Sequence, residues 1–211
     1  MPTVSSPAEQ RVVLNNVSWS TYVALVEDVN GRGGRMAYNE GVLEIMSPSP
    51  WHETIKRLIG RMVETLTEEL NIDIRSVSST TFKREDAERG IEADECYCID
   101  HAQAVRGKAE IDLTVDPSPD LAIEVDISRS SMNKLDIYST LGVGEIWQYD
   151  GKSVRILVLR ADNNYVEVGQ SQALPQFPVN EMLRILAEWR SLGETELIRT
   201  FRAWVRENIS G

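Results

Sequence analysis

One short segment, residues 121–127, constrains the fold more than any other part of the 211-residue chain. Its sequence, LAIEVDI, is typical of an aliphatic strand that is covered on at least one face, yet it carries two carboxylates. Strand alternation puts Glu124 and Asp126 on one face, about 6.6–7 Å apart, where they repel each other unless water, a cation or a basic group separates them. The segment therefore indicates either an edge strand with a hydrated face or a strand that carries part of a charged site.

A second acidic strand is expected at residues 91–99, where Asp94 lies within the alternating pattern. If this strand pairs with residues 121–127, the carboxylates of Asp94 and Glu124 converge, and oxygen ligands from neighbouring strands can hold Mg²⁺ or Mn²⁺. The alternative for Asp94 is a surface acid beside a turn. Asp120 cannot share one metal ion with Glu124, because four residues along a strand span about 13 Å.

The periodicity of the remaining chain predicts a single domain over residues 1–211, with an N-terminal polar tail over about residues 1–15. The fold class is α/β (α+β), with a mixed β-sheet flanked by helices. The expected elements are, in order, a helix from residue 19, a hairpin of strands 35–38 and 42–46, a helix from residue 50 to about 70, extended segments at 72–82 and 91–99, an irregular segment at 101–119, the strand 121–127, a helix that ends at Gly142, a meander of strands 145–149, 154–160 and 165–168, and two C-terminal helices that Gly193 separates.

His52 falls on the apolar stripe of the first long helix, three residues before Ile55. Ser49 can cap this helix and Pro50 suits its first position, so the helix start is well defined. A histidine in this place is either a core or capping residue or a group that hydrogen-bonds an acid of a site. Its spacing makes His52 a candidate site residue without deciding between these roles.

The charge balance limits the classes of partner. The chain has 33 acidic and 22 basic side chains and a formal net charge of −11, so it is not expected to coat nucleic acid non-specifically, which needs a concentrated basic surface. The longest apolar runs fall far short of the roughly 18–20 residues of a membrane-spanning helix. The first ten residues also lack the basic start and apolar stretch of a secretory signal. We therefore expect a cytoplasmic protein with no membrane partner.

Several blocks of the sequence resemble one protein family. They are GIEADECY at residues 90–97, PDLAIEV at 119–125, KLDIY at 134–138 and LGVGEIW at 141–147, with the earlier YNEG at 38–41 and His52 at a helix start. Together these blocks resemble the Uma-two (Uma2) family of restriction-endonuclease-like proteins, which is part of the PD-(D/E)XK nuclease superfamily. The resemblance covers about residues 22–149.

The resemblance implies a restriction-endonuclease-like core, in which a mixed sheet is flanked by helices and metal-binding acids lie on adjacent strands. Asp94 matches the acid of the first motif, with Ala93 where proline is usual, and Glu124 matches the acid of the second motif. The superfamily pattern has lysine two residues after this second acid, where this chain has Asp126. Lys134, on the following helix, is the matching candidate for a displaced lysine.

The function implied is hydrolysis of phosphodiester bonds in DNA by a metal-dependent endonuclease. Asp94 and Glu124 would hold Mg²⁺ or Mn²⁺, with the carbonyl of Val125 as a third oxygen ligand. Lys134 would orient water or neutralise charge, and His52 would hydrogen-bond an acid or a water. Basic residues in flanking loops would contact phosphates. They are Lys83, Arg84, Arg89, Arg106, Lys108 and Arg129.

The sequence leaves three alternatives open. A nuclease-like fold that has lost its catalytic lysine at Asp126 would act as a binding or interaction module. Lys134 itself is either a site residue or a solvated helix lysine. The aromatic residues of the C-terminal helices, Trp189, Phe201 and Trp204, either form a homodimer surface or pack within the chain.

Overall fold

Two β-sheets make up the centre of the fold, and helices pack on both faces of the larger sheet. The computed structural model describes residues 9–29, 34–77, 80–127 and 132–209. Its elements are β1 (Gln10–Leu14), α1 (Trp19–Val29), β2 (Arg35–Asn39), β3 (Val42–Ser47), α2 (Pro50–Glu69), β4 (Arg75–Ser76), β5 (Thr81–Arg84), β6 (Arg89–Glu92), β7 (Glu95–Cys98), β8 (Leu121–Val125), α3 (Lys134–Leu141), β9 (Glu145–Tyr149), β10 (Val154–Leu159), β11 (Tyr165–Val168), α4 (Val179–Ala187) and α5 (Glu194–Asn208).

The two sheets differ in their strand directions. The smaller sheet has the order β1-β3-β2-β6-β5, with antiparallel pairings throughout. The larger sheet has the order β11-β10-β9-β8-β7-β4, in which β8 and β9 are parallel and the other neighbours are antiparallel. The predicted α+β class, with a mixed sheet, a β-meander and C-terminal helices, is confirmed. The division of the strands into two sheets is a feature that the sequence pattern does not predict.

The parallel pair β8–β9 depends on helix α3, because parallel neighbours need a crossover connection. Gly142 follows α3 in the left-handed conformation, with a φ of 77°, and ends the helix as predicted. On its inner face α3 buries Ile137, Tyr138 and Leu141 in a core that includes strand residues of both sheets. The crossover thereby holds the first residues of α3 close to the carboxyl end of β8.

Helix α2 begins as the sequence predicts. It packs on the face of the larger sheet opposite to α3 and contributes to the main hydrophobic core there. The Ser49 side chain accepts a hydrogen bond from the backbone N–H of His52 at 3.1 Å, and Pro50 is the first helical residue. The apolar stripe of α2 packs with α4, α5 and the covered face of β8 and β9, where Ile59 and Trp147 are almost fully buried. The helix is therefore anchored in the core, and its first residues lie beside the corner between the two sheets.

The C-terminal aromatic residues pack within the chain. Phe201 is fully buried, and its ring centroid lies 6.0 Å from that of Phe177. Trp189 and Trp204 are partly buried against the same core. Intramolecular packing thus accounts for the side chains that suggested a dimer surface, and the homodimer stays a prediction without their support.

The predicted strand over residues 91–99 is wrong as a single element. The chain leaves the smaller sheet at the end of β6 and enters the larger sheet at the start of β7, with Ala93 and Asp94 between them. Alternation continues across this corner, so the sequence pattern does not reveal the change of sheet. Asp94 consequently lies where the two sheets meet.

The polar tail also ends earlier than predicted. Residues 10–14 form β1, which pairs antiparallel with β3 and puts Gln10 opposite Ser47 and Leu14 opposite Leu43. The apolar residues Val12, Val13 and Leu14 suit an edge strand, although each remains at least 40% exposed. This added strand brings Glu9 and Arg11 towards the corner between the sheets.

Each helix within the described ranges is too short or too polar to span a lipid bilayer. The cytoplasmic location stays a prediction.

Replacing Gly90 with alanine tests how closely β6 packs against α1. A Cβ at Gly90 would lie 2.7 Å from Cζ of Tyr22, a fully buried ring that has no space to retreat. We expect Gly90→Ala to lower the free energy of unfolding by about 1–3 kcal/mol, measured by urea denaturation. Gly169→Ala is the matched control, because a Cβ there meets no atom within 4 Å. Equal unfolding midpoints for the two variants would contradict this packing.

Candidate functional site

Asp94 and Glu124, the two acids predicted to converge, lie together at the corner between the sheets. Glu95 pairs with Ile123 across β7 and β8, so Asp94 precedes this pair on one strand and Glu124 follows it on the other. The backbone N–H of Val125 donates to Asp94 Oδ2 at 2.7 Å. Only 2% of Asp94 and 3% of Glu124 is exposed. The two carboxylates and the Val125 backbone therefore form one buried unit.

Helix α3 supplies the partners of Glu124. Lys134 Nζ donates to Glu124 Oε2 at 2.6 Å, and the Tyr138 hydroxyl donates to Oε1. Burial raises the pKa of Glu124, but the charge and hydrogen bond of Lys134, the Tyr138 bond and the charge of Arg35 outweigh it, so that the pKa lies below its ordinary value. Burial and the adjacent Glu124 carboxylate raise the pKa of Tyr138. Glu124 is therefore held as an anion, with Tyr138 as a neutral donor.

Residues from β2 and the start of α2 supply the partners of Asp94. The Arg35 guanidinium contacts Asp94 Oδ1 directly, and the same group donates to Glu53 Oε1 at 2.6 Å. His52 Nε2 lies 3.0 Å from Asp94 Oδ1. Asp94 is thus surrounded by a backbone N–H, a guanidinium and an imidazole.

The contacts of His52 assign its tautomer. Its Nδ1 lies 2.7 Å from Glu9 Oε1, and its Nε2 lies 3.0 Å from the Arg35 guanidinium. Because the Glu9 carboxylate can only accept, Nδ1 donates to it, and in the neutral ring the unprotonated Nε2 accepts from Arg35, which can only donate, instead of donating to Asp94 Oδ1. Glu9 therefore orients the ring, and the Nε2 lone pair faces the side where Asp94 Oδ1 lies.

Arg11 connects the outer acids of the site. Its guanidinium lies 2.8 Å from Glu44 Oε1, 3.3 Å from Glu9 Oε2 and 3.4 Å from Asp126 Oδ1. Asp126, which stands where the superfamily pattern has lysine, is therefore paired with a cation. It shares that cation with Glu9 and Glu44, which lie closer to the guanidinium.

The structure brings together the five residues proposed for the site: His52, Asp94, Glu124, Val125 and Lys134. The basic residues proposed for phosphate contacts are largely engaged elsewhere. Arg84 pairs with Asp86, Arg89 with Glu40 and Asp136, Arg106 with Asp73 and Lys108 with Asp116, while Arg129 lies outside the described residues. Asp120, excluded as a ligand, instead accepts from the backbone N–H groups of Ile99 and His101.

Sequence reasoning missed three residues of the site: Glu9, Arg35 and Tyr138. Tyr138 had a local signal, since it follows Lys134 by four residues and so shares its helix face. Arg35 and Glu9 had none, because one opens an ordinary hairpin strand and the other belongs to the expected tail. Both reach the site only through sheet pairing.

The donor chemistry of Asp94 and Glu124 fits a hard divalent cation. In the described ranges, no group of three or more His, Cys, Asp or Glu side chains is arranged for a metal ion. Mg²⁺ does not need one, since it is usually bound by one or two carboxylates and completes its shell with water and substrate phosphate.

The backbone of Val125 can supply a third oxygen. The N–H of the next residue, Asp126, donates to the Tyr149 carbonyl on β9 at 2.8 Å, whereas the Val125 N–H points the other way, to Asp94. The N–H and C=O of one strand residue point to the same side, so the Val125 carbonyl is also directed away from β9 and towards the Asp94 side.

A cleft of about 400 Å³ opens beside Lys134 at the carboxyl ends of β8 and β9. Its wall includes Asn133, Gln148 and Arg155, which offer amide and guanidinium groups. The cleft gives a polar ligand access to the side of the site that α3 forms.

The chain matches one family model over most of its length. The Uma2 model, described as "Putative restriction endonuclease", matches residues 19–192. No curated protein matches the chain. Among solved structures, the chain is similar to a "putative nuclease belonging to DUF820" from Anabaena variabilis ATCC 29413, with 16% sequence identity, coverage of 79% of this chain and 90% of that chain, and a TM-score of 0.44.

Replacing Lys134 with methionine tests the ion pair with Glu124. Without Lys134, Glu124 loses the largest of the causes that offset its burial, so at neutral pH the buried carboxylate keeps only the Tyr138 hydrogen bond and the charge of Arg35. We expect a loss of roughly 2–3 kcal/mol in the free energy of unfolding at pH 7, less than for a fully enclosed pair because 15% of the Lys134 side chain is exposed.

The stability that Lys134→Met loses relative to the wild type should depend on pH and be smaller in acid. The lowered pKa of Glu124 in the wild type contributes stability above the unfolded value of about 4.3, and this contribution fades as the pH falls through the folded value. The deficit of Lys134→Met relative to wild type should therefore hold between pH 7 and about pH 4.3 and shrink as the pH falls further, measured by urea denaturation. Lys152→Met, at an exposed turn, is the matched control. A deficit that is constant with pH would rule out the Glu124 pair as its cause.

Proposed function

Because the chain belongs to the Uma2 family of restriction-endonuclease-like proteins, we propose that it is a metal-dependent nuclease that hydrolyses phosphodiester bonds in DNA. The observation that carries this proposal is the hydrogen bond from the Val125 N–H to Asp94 Oδ2 at 2.7 Å. It joins the strand that bears Glu124 to the corner that bears Asp94, which is the arrangement of acids that the resemblance implies. Nucleic-acid binding follows from the family, and the metal and the DNA substrate are our proposal.

Asp94, Glu124 and the Val125 carbonyl would hold Mg²⁺ or Mn²⁺. When bound, such an ion supplies positive charge at the phosphate and lowers the pKa of a coordinated water. The buried position of the two carboxylates supports this role, since low local polarity strengthens their attraction for a divalent cation. Glu124 is fixed on β8, and Asp94 is fixed in the two-residue corner between β6 and β7.

Lys134 and His52 would act on the water and the phosphate. The Lys134 ammonium group is held by Glu124 at 2.6 Å, so it would add positive charge where the phosphate gains negative charge in the transition state. His52 presents its Nε2 lone pair beside Asp94, and Glu9 holds the opposite nitrogen. In this structure Arg35 donates to that lone pair, and the ring would accept a hydrogen bond from the attacking water where the water takes the place of Arg35.

The alternative, a binding module without cleavage, rested on Asp126 in the usual lysine position. A solvent-facing Lys134 would favour that alternative, but the Lys134 side chain reaches Glu124 and is mostly buried. Asp126 is paired with Arg11. The contacts therefore favour hydrolysis, with binding alone kept as an outcome of the experiment below.

The test is cleavage of supercoiled plasmid DNA with Mg²⁺ or Mn²⁺, with EDTA and with an RNA of similar length in parallel. We expect DNA cleavage that needs the metal and that falls more than ~100-fold in Asp94→Asn and Glu124→Gln, because outer partners of a metal site alone contribute 10–100-fold.

Glu188→Gln is the matched control for these variants, since Glu188 is a partly exposed acid at the end of α4 that pairs with Arg184, away from the site. Wild-type activity in Asp94→Asn or Glu124→Gln would reject the site. Metal-dependent DNA binding without any cleavage would support the binding module, and cleavage of RNA alone would change the substrate class.

A further inference from the structure

Arg35 is a charged residue of the site to which the proposed hydrolysis assigns no role. Its side chain is 11% exposed, and its guanidinium contacts Asp94, Glu53 and His52. Burial raises the pKa of Glu124, and the charge of Arg35 helps to lower it as a smaller cause than Lys134 and Tyr138. The same charge opposes the rise that burial causes in the pKa of Glu92. Arg35 is therefore a cation that several acids at the corner share.

The guanidinium contacts the Asp94 oxygen that does not accept a backbone N–H. Asp94 Oδ2 already accepts the Val125 N–H, and the other oxygen, Oδ1, is the atom that Arg35 contacts. A Mg²⁺ ion approaches its oxygen ligands to about 2.0–2.1 Å, which leaves no room for a guanidinium nitrogen at the same position. Two cations this close also repel each other strongly in a buried site.

Arg35 has a second anchor that lets it leave Asp94 without losing all its partners. Glu53, in the first turn of α2, accepts from Arg35 at 2.6 Å and is 46% exposed on its side chain. The guanidinium thus bridges a buried acid and an acid at the surface of the site. A movement that keeps the Glu53 bond would turn the guanidinium away from Asp94 and towards the solvent beside Glu53.

From this geometry we propose that Arg35 is an exchangeable counter-ion: it neutralises Asp94 in the metal-free protein and contacts the scissile phosphate once a divalent metal takes its place. Guanidinium groups bind phosphate oxygens through paired hydrogen bonds, so the released side chain has a matching new partner. The exchange keeps positive charge at the corner in both states. This inference rests on the proposed function and adds a phosphate-binding residue to it.

The experiment compares metal affinity and cleavage in the same variants of the full chain. Arg35→Gln removes the competing charge, so Mn²⁺ should bind roughly tenfold more tightly in isothermal titration calorimetry without DNA. The same variant at saturating metal should lose on the order of 100-fold in kcat, as when one preorganised donor to the transition state is removed. Affinity and activity therefore move in opposite directions.

Two further variants keep the test decisive. Arg35→Lys retains the charge but not the paired hydrogen bonds, so it should keep metal affinity near wild type and still lose kcat. If Arg35→Gln does not fold, as judged by circular dichroism, an unchanged kcat in Arg35→Lys would still overturn the phosphate contact. Lys56→Gln is the matched control, because Lys56 also faces Glu53, at 3.7 Å, and has no ion pair with Asp94 among the described residues. It should change neither quantity.

The outcomes separate the two proposals. Tighter metal binding with unchanged or higher kcat in Arg35→Gln would overturn the phosphate contact, and unchanged metal affinity would overturn the exchange at Asp94. Either result leaves metal-dependent cleavage by the wild type intact. A wild-type protein that binds neither Mg²⁺ nor Mn²⁺ would instead overturn the proposed function, and this inference with it.

Discussion

The neutralisation of buried carboxylates is the constraint on which the rest of this structure depends. Taking an ionised acid out of water costs several kcal/mol unless partners replace its hydration. Glu145 meets this need with neutral donors, namely the indole N–H of Trp147, the Ser171 hydroxyl and two backbone N–H groups. Asp94 and Glu124 instead rely on the long cationic side chains of Arg35 and Lys134, beside one backbone N–H and one hydroxyl. The contacts of Glu145 hold the loop of residues 171–173 against β9. The side chains of Arg35 and Lys134, in contrast, are cations whose place another cation can take.

The meeting of two sheets explains why the exchangeable charges collect at one place. A strand within a single sheet offers each carboxylate only the neighbours on its own face. At the corner, Asp94 instead faces the start of β2, the N-terminus of α2 and the end of β8 together. Helix α2 buries most of its length in the rigid core, so His52 enters the site from a fixed element. The site therefore combines a stable scaffold with side chains that are long enough to move.

Local pattern was sufficient for most of the secondary structure and for part of the site. Alternation and helical stripes predict the hairpin, α2, the meander and the C-terminal helices, because each of these is decided by neighbours within a few residues. The family blocks point to Asp94, Glu124 and Lys134. The pattern failed at residues 91–99, since alternation is the same whether or not a strand passes from one sheet to another. It also failed for β1, which pairs with β3 through backbone groups that leave no trace in side-chain periodicity.

The sequence by itself determined that two acids, Asp94 and Glu124, interrupt apolar segments of the chain and that Lys134 follows them at the start of a helix. The tertiary structure alone decided how those charges are neutralised. Glu9 meets His52 across 43 residues, and Arg11 meets Asp126 across 115 residues. Contacts at such separations depend on the order of strands in a sheet and on the angle between sheets, neither of which a local sequence period encodes. For that reason the acids of this site could be named from the sequence, but Arg35, the cation that holds one of them, could not.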